Sequence, residues 1–181
     1  MKVKTKAIKT LIHNKEEINK IAAENIIENE NFREFLNNLN SDLVDEFVFE
    51  LNKNISVLID CTKCGACCNK LMINIEPSDI PRISSHLKIN DDDFFDKYVE
   101  RGTTMMIMNS IPCTFLSKKM CTVYEGRFTE CREFPNLHKP GFQKRLFATL
   151  MHYEICPIIF NVIENLKIIT EFKTPELKAE I

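Results

Sequence analysis

Four cysteines fall within eight residues in the stretch CTKCGACC, at Cys61, Cys64, Cys67 and Cys68, and four more follow singly at Cys113, Cys121, Cys131 and Cys156. Thiolates are soft donors, and a Cys-x-x-Cys turn brings two of them onto one ion. Gly65 gives the backbone freedom to fold its amides toward the sulfurs. CxxCxxC is also a run that holds iron–sulfur clusters, with the fourth ligand arriving from elsewhere. Metal ligation is therefore the chemistry this spacing serves best, and thiolates bind zinc and iron alike. Two other uses of cysteine compete. Disulfides need an oxidising compartment, and adjacent Cys67 and Cys68 pair only through a strained ring. Buried free thiols behave as small hydrophobes, which suits a lone Cys156 but not a block set among Thr62, Lys63 and Asn69. Cys68 is expected to diverge from Cys67, serving either a second neighbouring centre or a place behind the first. Two linked centres would use all eight sulfurs.

Few other residues carry chemistry. Lys63, Lys70 and Arg132 stand beside cysteines and are able to lower a thiol pKa or donate to sulfur. His138 and His152 are the histidines nearest the later cysteines and the only ones placed to replace a sulfur, though a lone histidine is more often simply hydrogen-bonded. The three acids of DDD at Asp91–Asp93 point around a helix rather than at one spot, so they read as a cap, not a cation site. Met105, Met106, Met108 and Met120 read as apolar strand residues in a core.

The rest of the sequence mainly excludes. The glycines are isolated, so no GxGxxG or phosphate loop exists, and HExxH and GxSxG are absent. With 24 Lys plus Arg against 26 Asp plus Glu, the net charge of -2 argues against a nucleic-acid partner. The local run HKPGFQKR reads as a solvated loop. No apolar run approaches the roughly 20 residues of a membrane span, and the basic start MKVKTKAIKTLIHNKEE lacks a signal-type apolar region. The expected location is the cytoplasm, with no membrane partner.

The elements that must position the cysteines are α and β in turn. Ile18, Ile21 and Ala22, then Phe32, Phe35, Leu36 and Leu39, recur at helical spacing. Ser41 is expected to cap a helix with Leu43, Phe47 and Leu51 on one face. LMINI has the brevity of a strand, Ser78 with Pro81 in the first turn starts a short helix, and Asn90 caps another ending at Gly102 in a left-handed conformation. TTMMIMN, CTFL and CTVY around SKKM, and KRLFATLMHY are expected strands, the middle pair a hairpin. The later cysteines then sit at strand ends and turns.

The combination CTKCGACC, PSDIPRI, PCTFLSKKMCTVYEGRFTECREFP and the Cys156-Pro157 pair resembles the YkgJ-type cysteine-cluster family of zinc- or iron-chelating proteins, and the related cysteine block of flagellin lysine N-methylases. The likeness covers about residues 55 to 160. It implies that Cys61, Cys64, Cys67, Cys68, Cys113, Cys121, Cys131 and Cys156 are metal ligands, with a Tyr-x-x-Arg element at Tyr124 and Arg127. The family usually places proline after that arginine, where this sequence has Phe128. The expected fold is α+β: a helical N-terminal segment over 1–54, a cysteine-cluster metal-binding domain over 55–165 with short helices and a small antiparallel sheet, and a tail over 166–181. The expected function is metal binding with zinc, iron or an iron–sulfur cluster. Two other classes stay open: a protein-lysine N-methylase-like enzyme, and a structural zinc scaffold for a protein partner.

Overall fold

The computed structural model describes residues 10–174. The first nine residues of the basic start and residues 175–181 of the expected tail lie outside them. The chain forms two compact units, one built from residues up to Ile59 and from Pro135 onward, the other from Asp60–Phe134.

The helical unit begins with α1 (Lys15–Glu24), α2 (Ile26–Asn37) and α3 (Ser41–Ser56). The helical spacing read in this stretch is thus realised among the described residues. Ile18, Ala22, Phe32 and Leu36 are buried, as their spacing requires. The start of α3 differs by one residue from expectation: Asn40, not Ser41, caps it, its Oδ1 accepting from Leu43 N at 3.0 Å. The inward face shifts accordingly to Val44, Val48, Leu51 and Ile55, leaving Leu43 and Phe47 half-buried.

The cysteine unit opens with a 3₁₀ turn at Cys61–Lys63 and a short helix α4 (Ala66–Lys70). Strand β1 (Asn74–Ile75) precedes α5 (Asp79–Leu87) and α6 (Asp91–Tyr98); then come β2 (Val99–Arg101), β3 (Met106–Met108), and the hairpin of β4 (Leu116–Ser117) and β5 (Met120–Cys121). The first three strands form an antiparallel sheet in the order β1-β3-β2, with Asn74 opposite Ile107 and Val99 opposite Met108. This is the α+β fold with a small antiparallel sheet that the sequence led us to expect. The core beneath it includes Ile75, Ile83, Phe94, Met108, Phe115 and Phe128.

Some local signals hold in this unit and others do not; of the expected strands CTFL and CTVY, only Leu116 and Cys121 lie in the hairpin strands. Asn90 caps α6 as expected, accepting from Asp93 N at 2.7 Å, and the three acids occupy the first turn. Gly102 is not a left-handed helix stop: α6 ends at Tyr98, and the β-branched Val99 begins a strand that pairs with β3. Ser78 stands before α5 without capping it; the nearby Asp79 accepts from Glu76 N instead, at 3.0 Å. Of the methionines, Met108 is core, but Met105 and Met120 are exposed.

After α7 (Thr129–Glu133) the chain returns to the helical unit with α8 (Phe142–Met151) and α9 (Pro157–Ile169). KRLFATLMHY, expected as a strand, lies mostly in α8. Its buried residues Phe142, Leu146 and Thr149 keep helical spacing, and Asp45 of α3 caps its first turn by accepting from Gly141 N at 2.6 Å and Phe142 N at 2.8 Å. A carboxylate 97 residues away supplied what the local sequence lacks. Nearly all of α9 is buried, and it packs against α3. Residues 166–169 of the expected tail complete it. Among the described residues, no helix is long and apolar enough to cross a membrane.

Candidate metal centre

The cysteine block is folded by its polar neighbours. Asp60 accepts from Thr62 N at 3.0 Å and pairs with Lys63 at 3.1 Å, fixing the turn that presents Cys61. Lys63 is thereby engaged by a carboxylate, not a sulfur. Gly65 follows at φ +60°, and Asn69 Nδ2 donates back to its carbonyl at 2.9 Å, closing α4 around Cys67 and Cys68. A side chain at Gly65 has no room: a Cβ there would stand 2.7 Å from the carbonyl oxygen of Lys119. The first block therefore lies directly on the β4–β5 hairpin. That hairpin turns through Lys118 and Lys119, both at positive φ, and pairs Leu116 with Cys121. Cys113 N donates to the carbonyl of Cys68 at 2.8 Å, a second link between the early and later cysteines.

Cys131 is placed by α7. Asp79, fully buried, accepts from Thr129 N at 2.9 Å and Thr129 Oγ1 at 2.7 Å, and also bonds Arg82. Arg82 in turn donates to the carbonyl of Arg127 at 3.0 Å. Glu130 reaches the other way to Asn74 Nδ2 of β1 at 2.9 Å. Asp79 and Arg82 belong to the PSDIPRI stretch, whose place in the site is thus to anchor the Cys131 helix. Sequence reasoning noted the stretch and missed this role, because the partners lie about 50 residues downstream.

Six thiols line one cavity of about 120 Å³: Cys61, Cys67, Cys68, Cys113, Cys121 and Cys131. Its floor is apolar, including Ile73, Phe115 and Phe128, and Lys119, Arg127 and Arg132 line it as well. Cys64 is half-buried beside Cys61 and does not line it. Cys156 belongs to the helical unit, buried at the N-terminus of α9, and follows α8 rather than the expected strand. His138 and His152 also belong to that unit. None of the eight cysteines is in a disulfide. Cys67 and Cys68 do not diverge as expected: their sulfurs are 4.0 Å apart and share a hydrogen bond. Two short side chains one step apart on a helix still reach the same side. In a tetrahedral zinc site with Zn–S near 2.3 Å, two sulfurs stand about 3.8 Å apart, so this pair already has the edge of such a site. Among the described residues, no three His, Cys, Asp or Glu side chains converge on one point.

The electrostatics follow from burial. Desolvation raises the thiol pKa values of Cys61, Cys113 and Cys121, and pushes Cys131 up to about 12. Cys68 is lowered to about 7, chiefly because Cys67 donates to it. Arg127 lies over the Tyr124 ring at 3.8 Å and donates to the Tyr124 carbonyl at 2.9 Å. Arg132 donates to the carbonyls of Arg127 and Glu125. Both guanidiniums are held by carbonyls, and among the described residues neither pairs with a carboxylate. Positive charge is thus pinned beside the thiols, where thiolates gain from it.

Comparison with known proteins agrees with this chemistry. Residues 60–156, which contain every cysteine, match the model of the CxxCxxCC family, described as "Putative zinc- or iron-chelating domain". The chain belongs to that family, and metal binding is its role. No curated protein and no solved structure matches the chain.

Proposed function

We propose that this is a cytoplasmic metal-binding protein that holds zinc or iron through the thiolates of its cysteine unit: Cys61, Cys64, Cys67, Cys68, Cys113, Cys121 and Cys131. The observation that carries the reading is the single cavity onto which six of these thiols open, none of them in a disulfide. A reducing compartment keeps such thiols available. Cys156 stays out of the set because it does not line that cavity and stands alone in the sequence, buried at the start of α9. A thiolate-saturated centre supplies structural cross-linking or electron transfer rather than substrate activation, which needs an open coordination position. The chain's own part is to gather the donors, exclude water over an apolar floor, and offset the thiolate charge with Arg127 and Arg132.

Anaerobic purification followed by metal analysis and an absorption spectrum tests the reading. Bound zinc or iron that is lost in Cys113→Ser and Cys121→Ser and kept in Cys156→Ser is the expected result. A protein that binds neither metal when either is supplied in excess would overturn it.

A further inference from the structure

The thiols of the cysteine unit divide into two sets that share one member. Cys113, Cys121 and Cys131 pack on the apolar core of the unit, and Cys68 packs there with them; Cys61, Cys64 and Cys67 do not. Cys68 also belongs to the first set, since its sulfur is 4.0 Å from that of Cys67. Its carbonyl accepts from Cys113 N, which ties it to the second set through the main chain as well.

A four-coordinate ion takes four thiolates, so seven thiols with one shared are the donor count of two tetrahedra joined at a corner. We propose that this centre takes two divalent ions, one held by Cys61, Cys64 and Cys67, the other by Cys113, Cys121 and Cys131, with the Cys68 sulfur bridging both. The inference rests on the metal-binding reading above and adds the number of ions and the distribution of ligands. Seven thiolates exceed the charge of two divalent ions by about three, and three cationic side chains, Lys119, Arg127 and Arg132, line the cavity. A lone four-thiolate ion would strand three further thiols beside those cations.

The full-length chain, reconstituted with zinc and weighed intact by native mass spectrometry, is expected to carry two zinc ions. One zinc at saturation, or four irons with acid-labile sulfide in anaerobically purified protein, overturns the two-ion centre while leaving the metal-binding reading standing. No bound metal of either kind removes both. The bridge is tested separately on wild-type protein saturated with ¹¹³Cd. The Cys68 β-protons are expected to correlate with two cadmium resonances, and those of Cys61, Cys64, Cys67, Cys113, Cys121 and Cys131 with one each. Correlation of Cys68 with a single resonance refutes the bridge.

Discussion

Gly65→Ala addresses the contact that seats the first cysteine block on the hairpin. Gly65 has φ +60°, a conformation that costs an L-residue about 1–2 kcal/mol. The new methyl carbon would also stand 2.7 Å from Lys119 O and 3.0 Å from both Lys119 Cα and Leu116 Cδ1. These distances lie well inside the roughly 3.5 Å at which nonbonded carbons begin to attract. Two of the three neighbours are backbone atoms, so relief requires the block and the hairpin to separate, an overpacking cost of about 1–3 kcal/mol. The total is about 2–5 kcal/mol. Gly141→Ala is the internal control: Gly141 is also left-handed, at φ +75°, but a Cβ there meets nothing within 4 Å. Only the conformational cost of about 1–2 kcal/mol then applies. Hydrogen exchange read by mass spectrometry resolves the opening free energy of each unit separately. Metal affinity supplies a second readout, since each 1.4 kcal/mol of strain relieved in the metal-free form weakens binding about tenfold. A Gly65→Ala protein no more perturbed in its own unit than Gly141→Ala is in its own, with metal affinity unchanged, would refute the seating of the block on the hairpin.

Asp79→Ala is expected to destabilise the cysteine unit by about 3 kcal/mol, because it strands Arg82 and the Thr129 donors around a buried vacancy. Hydrogen exchange over Arg127–Cys131 reads the loss, and protection unchanged there would contradict the anchoring role given to Asp79. The metal-free protein should also respond to pH in a stated direction. Cys61, Cys113, Cys121 and Cys131 have folded pKa values raised above those of the unfolded chain, so the native state retains more protons and stability falls as pH rises above about 8.5. Cys68, at about 7, acts in the opposite sense, losing its contribution as pH falls through that value. Urea melts in the presence of chelator should therefore show greatest thiol-linked stability near pH 8.5, with the alkaline slope reduced in Cys131→Ala. An alkaline slope identical in that variant would count against the burial of Cys131.

What could be read in advance divides by the range of the interactions involved. CTKCGACC carries its chemistry in its spacing, and the β-prone flanks of SKKM announced a hairpin although neither Lys118 nor Lys119 is a usual residue for positive φ. Asn90 and its acids declared α6 because a cap is made within four residues. By contrast, α8 was read as a strand: Leu-Phe-Ala-Thr-Leu-Met suits either element, and the deciding cap comes from Asp45. Nothing in the sequence separated α9 from a buried strand, since its buried face extends nearly all round and leaves no polar stripe to mark the period. The placement of Cys131 depended on Asp79 and Thr129, and the meeting of Cys67 with Cys68 depended on side-chain direction. Local capping and ligand spacing are sequence properties; the partners that choose between helix and strand, or aim a thiol, are tertiary.

The metal of this protein is proposed to be held by cysteine sulfur from the unit Asp60–Phe134. X-ray absorption at the metal edge of the purified protein measures that directly. The expected result is a first shell of sulfur alone, near 2.3 Å for zinc, that persists in Cys156→Ser. A first shell dominated by nitrogen or oxygen at about 2.0–2.1 Å, or one that changes when only Cys156 is replaced, would contradict it.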